Sequence, residues 1–292
     1  MYELVKAGEQ SYYIDCPAKM GIYLPGDGTA LLIDSGNDKE AGKKAYRILE
    51  EKDWKLTGIL VTHSNADHIG GCRFLQGKTG CRVFGRGIER AFTEYPVLEP
   101  SFLYGGYPCR ELRHKFLMAQ GSEVTDFSHE DFPKEVEIIP LPGHFFDMTG
   151  FLTPDGTAFI ADCLASRETL EKYRISFIYD VGAYLDTLEK IKSLQAKIFV
   201  PSHAPAAEDI SELADINISA VHEIAERIIS LCRQPACFEN ILKGLFDELG
   251  MAMNFSQYVL AGSTVRSYLS WLFDSGRVTA EFSGNMLLWR AV

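Results

Sequence analysis

One pattern recurs along the first 206 residues: a short apolar run, rich in β-branched side chains, leads directly to a histidine or an aspartate. Runs of this length and composition predict buried strands with both faces covered. Ligand-binding groups of open α/β sheets collect at the carboxyl ends of the strands, so we expect these polar side chains to meet at one edge. The residues that end the runs are Asp34, His63, His144, Asp162 and His203.

Helical patterns separate the predicted strands, for example over 40–52 and 186–194. Strands that interleave with helices indicate the α/β class, and we predict a first domain over residues 1–206. Within it, residues 85–133 interrupt the rhythm with many aromatic side chains among prolines and glycines, and with no clear strand. Two interpretations of this insertion stay open: a small aromatic-cored segment packed on the sheet, or a lid that covers a substrate.

Residues 207–292 carry helical periodicity and end in a hairpin pattern, which predicts a mainly helical, winged-helix-like second domain. Ser263 or Thr264 is expected to cap the last helix, which ends near Gly276. The predicted elements are helices over 210–232 and 238–249, a short helical piece over 255–260, the capped helix, and a hairpin over 278–291.

The net charge and the cysteine content limit which functions and locations are expected. The formal net charge is −11, and residues 207–292 hold 11 acidic against 6 basic side chains, so we do not expect nucleic acid as a partner. The second domain is expected to pack on the first, to help wall a pocket or to form a homodimer contact. Seven cysteines without framework spacing are typical of reduced thiols, no apolar stretch approaches the ~20 residues that cross a bilayer, and the N-terminus lacks a signal-peptide layout. We therefore expect a cytoplasmic protein that acts on a small molecule, without a membrane partner.

The string from Thr62 to Gly71, THSNADHIGG, places two imidazoles and a carboxylate within six positions. Imidazole together with carboxylate favours zinc, iron or manganese over calcium. On a tight loop from a strand into a helix, His63 can face one way while Asp67 and His68 face another. One loop can therefore serve two adjacent metal ions.

Five motifs, in this order, resemble those of the metallo-β-lactamase superfamily, whose first ligand motif is His-x-His-x-Asp-His. The resemblance covers about residues 12–205. It implies an αββα sandwich with metals at one edge between two sheets, and the helical tail resembles the winged-helix-like appendage of one branch of that superfamily. The motifs are LLIDSG with Asp34, the HSNADH string, PGH with His144, IAD with Asp162 and PSH with His203.

The resemblance also implies a role for each motif residue. Asp34 would support the metal loops rather than bind metal. Asp67 would hold the attacking hydroxide or shuttle its proton. The implied ligands are His63 and His144 for one metal, Asp67, His68 and His203 for the other, and Asp162 as the bridge between them.

The chain departs from the family motif at Asn65, where the pattern has its second histidine. A carboxamide oxygen is a poorer zinc ligand than imidazole, and the side chain is shorter. We expect Asn65 to be at most a weak ligand. Occupancy would then be unequal: the site of Asp67, His68 and His203 is filled tightly, and the other is weak, completed by water or selective for a different metal.

Hydrolysis is the chemistry that the resemblance implies, with one or two zinc ions, or iron or manganese in their place. The bond would be an ester, thioester, lactam or phosphodiester. A second interpretation is an iron-dependent oxidoreductase of the persulfide-dioxygenase type, because His63, His144 and Asp162 are all present. A third is a non-catalytic metal-binding or sensing protein, which Asn65 and the winged-helix-like tail suggest.

Overall fold

The computed structural model describes residues 2–292, and two β-sheets form the frame of the first 206 residues. The larger sheet has its strands in sequential order: β1 (Glu3–Lys6), β2 (Ser11–Asp15), β3 (Met20–Tyr23), β4 (Thr29–Ile33), β5 (Lys55–Leu60), β6 (Arg82–Gly85) and β7 (Val124–Asp126). The smaller sheet contains β8 (Glu137–Pro140), β9 (Thr149–Leu152), β10 (Thr157–Ala165) and β11 (Ile198–His203), in the order β11-β10-β9-β8.

Helices occupy the connections between these strands. They are α1 (Lys39–Glu51), α2 (Ala66–Ile69), α3 (Cys72–Thr79), α4 (Gly87–Glu94), α5 (Leu98–Tyr104), α6 (Arg167–Tyr173) and α7 (Val181–Ile191), with a 3₁₀ turn over Arg110–Leu112.

Apolar side chains of the two sheets pack face to face and form the inner layer of a sandwich. Leu31 and Phe84 of the larger sheet belong to the same buried cluster as Phe151 and Phe159 of the smaller one. A second cluster lies under α1 and α3 on the outer face of the larger sheet, and a third lies under α7 on the outer face of the smaller sheet. Both faces of the central strands are thus covered, which explains their nearly continuous apolar sequences. The predicted αββα sandwich is confirmed.

Strand direction brings the polar ends of the apolar runs to one edge. β4 runs parallel to β5, and β10 runs parallel to β11. β8 has the same direction as β10, because both are antiparallel to β9. The expectation that Asp162 follows a strand is wrong, since β10 continues to Ala165. Register shifts flank Ala161, whose φ is +50°, and such a bulge can redirect the next side chain within a strand.

The insertion, residues 85–133, contains α4, α5 and β7. The expectation that it holds no strand is wrong, because Val124–Asp126 pairs in parallel with β6 and extends the larger sheet. With only three residues, this strand is too short to be recognised from periodicity. Leu103 and Leu117 of the insertion are buried against Val259 of the C-terminal segment. The insertion is thus packed on its neighbours, and a lid function stays a prediction.

The C-terminal segment consists of three helices and the expected hairpin, because the two last helical pieces predicted from the sequence are one helix. These are α8 (Ser211–Leu231), α9 (Phe238–Leu249), α10 (Phe255–Asp274), β12 (Val278–Ser283) and β13 (Met286–Ala291). They share one buried cluster with α7 and β10, so the segment packs on the smaller sheet. Its assignment as winged-helix-like, and the boundary at 206/207, stay predictions. Within residues 2–292, no helix combines the length and the apolar character that crossing a membrane requires.

The expected start of the last helix at Ser263 or Thr264 is wrong. α10 is continuous from Phe255, and the side chain of Asn254 caps it by accepting a hydrogen bond from the Gln257 amide at 2.9 Å. Thr264 is buried inside the helix, where its hydroxyl accepts from the Ile178 amide at 3.1 Å. A hydroxyl residue is well tolerated within a helix when it has such a tertiary partner.

Candidate metal centre

The loop that follows β5 is held in place by the carboxylate of Asp34, at the end of β4. Asp34 Oδ1 accepts a hydrogen bond from the Thr62 amide at 2.8 Å, and Oδ2 accepts from the Thr62 hydroxyl at 2.7 Å. Oδ2 also lies 2.8 Å from Nδ1 of His68. One buried carboxylate therefore contacts both the backbone of the loop and an imidazole ring on it, and the role of Asp34 in supporting metal ligands stays a prediction.

Hydrogen bonds at Nδ1 orient three of the histidine rings. The Thr62 hydroxyl donates its proton to the Asp34 carboxylate, so it accepts a hydrogen bond from Nδ1 of His63 at 3.0 Å. Nδ1 of His68 donates to that same carboxylate, and Nδ1 of His203 donates to the carbonyl of Pro17 at 2.8 Å. In each ring Nε2 is left to face the other members of the cluster, as is usual for histidines that ligate metals.

His63, His144 and Asp162 form the first group of converging side chains, with one potential ligand atom from each lying within 4.8 Å of the others. Asp162 Oδ2 is 3.9 Å from Nε2 of His63 and 3.6 Å from Nε2 of His144. Gly143 permits this position of His144. Its φ is +120°, and a Cβ there would lie 2.3 Å from the backbone of Tyr184, so only glycine fits.

Asp67, His68 and His203 form the second group, within the same limit of 4.8 Å. Nε2 of His203 lies 3.3 Å from Oδ2 of Asp67. Asp162 adjoins this group too, because its Oδ1 is 3.2 Å from Nε2 of His68 and its Oδ2 is 3.2 Å from Nε2 of His203. The structure thus brings together all the side chains expected as principal ligands, with Asp162 between the two groups.

Several buried atoms of the cluster lack a hydrogen-bond partner among residues 2–292: Nε2 of His63, Nε2 of His68 and Oδ1 of Asp162. An unsatisfied buried polar atom costs about 1–3 kcal/mol. Imidazole nitrogens and carboxylate oxygens at this spacing match the donor set of zinc, iron or manganese. The residues present therefore fit a divalent metal.

The pKa values of the histidines in the cluster are strongly shifted. Burial lowers the pKa of His63 well below its ordinary value and also lowers the pKa of His144. At His203 burial acts in the same direction, but the Asp162 carboxylate overrides it and raises the pKa to about 10. The same carboxylate, against the effect of burial, holds the pKa of His68 well above its usual range. A cation bound here would displace these protons, since metal binding releases protons from its ligands.

Asn65 is engaged by the insertion. Its side-chain Nδ2 donates a hydrogen bond of 2.8 Å to Oε1 of Glu99, a residue of α5 that is 3 % exposed. Burial raises the pKa of Glu99 well above its ordinary value. The role of Asn65 as a weak ligand stays a prediction.

The sequence analysis missed two buried glutamates of the insertion, Glu89 and Glu99. They contact Ser64 and Asn65 in the loop between His63 and His68, hereafter the metal loop. A usable signal exists for Glu89: it lies three residues before Phe92, which places a carboxylate on the buried face of an amphipathic helix. No comparable local pattern marks the partner of His203, because the carbonyl of Pro17 is 186 residues away in the chain.

Aromatic rings wall one side of the cluster. The ring of Phe177 lies 5.5 Å from that of His144, and Phe102 of α5 lies 5.1 Å from Phe146. Beyond Phe102, residues of α5, α7 and α10 line a cavity of about 690 Å³. On the other side, the side chain of Asp67 is 39 % exposed, so the second group opens to solvent.

In this structure histidines and aspartates cluster near the carboxyl ends of the strands, at one edge of an αββα sandwich. This combination of fold and site defines a class of proteins. The chain belongs to the metallo-beta-lactamase superfamily, whose family model matches residues 15–203.

Named relatives support this membership. The chain is 26 % identical over 194 residues to the beta-lactamase-like protein 2 homolog of Drosophila melanogaster, covering 64 % of this chain and 59 % of the relative. It is 57 % identical over 146 residues to a hydroxyacylglutathione hydrolase of Rhodopseudomonas palustris strain HaA2, covering 50 % of this chain and 47 % of the relative. The chain thus spans about half the length of the curated relatives it matches.

A solved structure shares the fold over nearly the whole chain. A beta-lactamase domain protein from Burkholderia ambifaria superimposes with a TM-score of 0.74 at 14 % identity, covering 99 % of this chain and 94 % of that one. The C-terminal segment is therefore included in the structural likeness.

Proposed function

We propose that this chain is a metal-dependent hydrolase that cleaves a thioester or a related carboxylic ester, with one or two zinc ions. The observation that carries the proposal is the position of Asp162, whose carboxylate lies within 3.2–3.9 Å of imidazoles from both groups. A carboxylate that lies between imidazoles of both groups is suited to be shared by two adjacent cations, which would displace the protons of His68 and His203.

The residues that would hold the metal are the two groups described above. A divalent ion bound there would lower the pKa of water to about 7 and would polarise the bond under attack. Asp67 is the best-placed carboxylate to accept a proton from the attacking water, because its side chain is both in the cluster and open to solvent. Asp34 keeps Nδ1 of His68 engaged, so that Nε2 stays directed at the cluster.

The preference for a thioester rests on the relative named as a hydroxyacylglutathione hydrolase and on the aromatic wall beside His144. Rings at this position favour an apolar or small organic group next to the scissile bond over a polyanion. We also propose that the winged-helix-like segment is structural, since its excess of acidic residues opposes phosphate. A small-molecule substrate, a cytoplasmic location and a homodimer remain parts of this proposal.

Turnover by the metal-loaded protein tests the proposal. Thioester, ester, lactam and bis-p-nitrophenyl phosphate substrates are compared, with His68→Ala as the variant that removes a ligand. We expect the thioester to be hydrolysed fastest and His68→Ala to lose that activity. Oxygen consumption on a persulfide with bound iron would overturn the proposal in favour of an oxidoreductase, and no turnover of any substrate would favour a sensing or binding protein.

A further inference from the structure

Glu89 is a buried carboxylate outside the cluster, on α4 of the insertion, and it is 1 % exposed. Its Oε2 accepts hydrogen bonds from the Ser64 amide at 2.9 Å and from the Ser64 hydroxyl at 2.5 Å. Its Oε1 accepts from the Asp147 amide at 2.8 Å. A buried carboxylate is costly unless it is fully hydrogen-bonded, so this arrangement is specific rather than incidental.

The donors belong to two different metal loops. Ser64 directly follows His63, and Asp147 lies three residues after His144. The carboxylate of Asp147 in turn accepts from the Ile88 amide at 3.0 Å and thereby caps the start of α4. The contact is therefore reciprocal, and it fixes α4 to the loop of His144 at two points.

The link joins the two loops that carry the histidines of the first group. His63 and His144 come from different sheets, and they approach the same oxygen of Asp162 at 3.9 and 3.6 Å. The Glu89 carboxylate hydrogen-bonds to both loops, to Ser64 after His63 and to Asp147 after His144. Their relative position is thereby tied to one carboxylate of the insertion.

We propose that Glu89 is a positioning residue that sets the spacing of His63 and His144, and with it the affinity of the first metal group. The proposal rests on the proposed metal binding. It gives the insertion a function in building the metal centre.

The substitution Glu89→Gln isolates this role. A glutamine amide offers one acceptor and one donor where the site presents donors on both sides, so one backbone amide must lose its partner in either orientation. The matched control is Glu94→Gln on the same helix. Among residues 2–292 the Glu94 carboxylate accepts only from the Val124 amide, at 3.3 Å, and an amide oxygen can replace it there.

Metal affinity, measured by competition with a chelator, and the visible absorption of the Co²⁺-loaded protein are the readouts, together with the melting temperature of the metal-free protein. We expect Glu89→Gln to weaken the weaker binding step about 10–100-fold and to change the Co²⁺ spectrum, as loss of an outer-sphere partner does. Glu94→Gln should leave both unchanged. Ser64→Ala removes only the hydroxyl donor and should lower the metal affinity by a smaller factor. This variant replaces Glu89→Gln as the test if Glu89→Gln does not fold.

Unchanged affinity and spectrum in Glu89→Gln, even with a lower melting temperature, would overturn the positioning role and leave Glu89 as a structural brace. Unchanged affinity in Ser64→Ala would do the same if only that variant folds. Failure of the wild-type protein to bind Zn²⁺ or Co²⁺ at all would instead overturn the proposed function. The two failures are therefore distinguishable.

Discussion

Oδ2 of Asp34 lies 2.8 Å from Nδ1 of His68, although the two residues are 34 positions apart. The same carboxylate holds the Thr62 amide and hydroxyl, and the hydroxyl in turn meets Nδ1 of His63. A single side chain thus orients one imidazole from each candidate metal group.

Asp34→Asn is expected to weaken metal binding about 10–100-fold without unfolding the protein. The NH₂ group of the asparagine must face either the Thr62 amide or Nδ1 of His68. In the first case two donors face each other, and in the second the His68 ring must lose its Nδ1 proton and adopt the tautomer with the proton on Nε2. The backbone is not the cause, since asparagine tolerates the φ of +62° found at this position. Chelator competition measures the affinity. Asp53→Asn, at another aspartate with positive φ (+55°) but outside the cluster, is the control and should bind metal normally.

Zinc is expected to bind in two unequal steps. The group of Asp67, His68 and His203 is complete, whereas Asn65 replaces an imidazole beside His63 and is itself engaged by Glu99. Titration of the metal-free protein in the presence of a competing chelator should show a tight first ion and a second that is weaker by at least about tenfold. Two equally tight ions would refute this expectation.

Asn65→His is expected to strengthen the weaker step. The imidazole supplies the missing ligand, and Glu99, now 2.8 Å from the amide nitrogen, is placed to accept a hydrogen bond from the other ring nitrogen. Asn65→Ala removes the amide without adding a ligand and should show no gain. If the histidine variant gains nothing either, the geometry of the loop rather than the ligand type limits this group.

Gly143→Ala is expected to destabilise the protein by at least about 2 kcal/mol, because it combines a left-handed φ with a clash against the Tyr184 backbone. Gly77→Ala, inside α3 with open space around the new Cβ, should instead stabilise by about 0.5–1 kcal/mol. Urea unfolding of the metal-free variants gives both values. Equal stability of the two variants would contradict the role of Gly143 in placing His144.

Local patterns predicted the α/β class and the converging residues, and the resemblance to the metallo-β-lactamase superfamily added the sandwich arrangement. Apolar runs such as Ala30–Ile33 mark buried strands, and the ligand candidates follow at fixed places in motifs. Asp162 lies in the cluster even though its strand continues past it. The class of fold and the principal residues of the cluster could therefore be obtained without a structure.

The partners of those residues could not be predicted, since they are distant in sequence and have no periodic signature. Glu89 and Glu99 reach the metal loop from the insertion, whose helices are short and whose strand has only three residues. The same reason explains the error at Thr264. Its hydroxyl resembles a helix cap locally, but its partner is the Ile178 amide, 86 residues away.

Metal content tests the central claim most directly. Protein purified without added metal is analysed for zinc, iron and manganese, alongside His68→Ala with its circular dichroism recorded. We expect at least one divalent ion per wild-type chain and a clear loss of metal in a variant that remains folded. A wild-type protein that neither contains metal nor takes up Zn²⁺, or a folded His68→Ala variant with undiminished metal, would contradict the account.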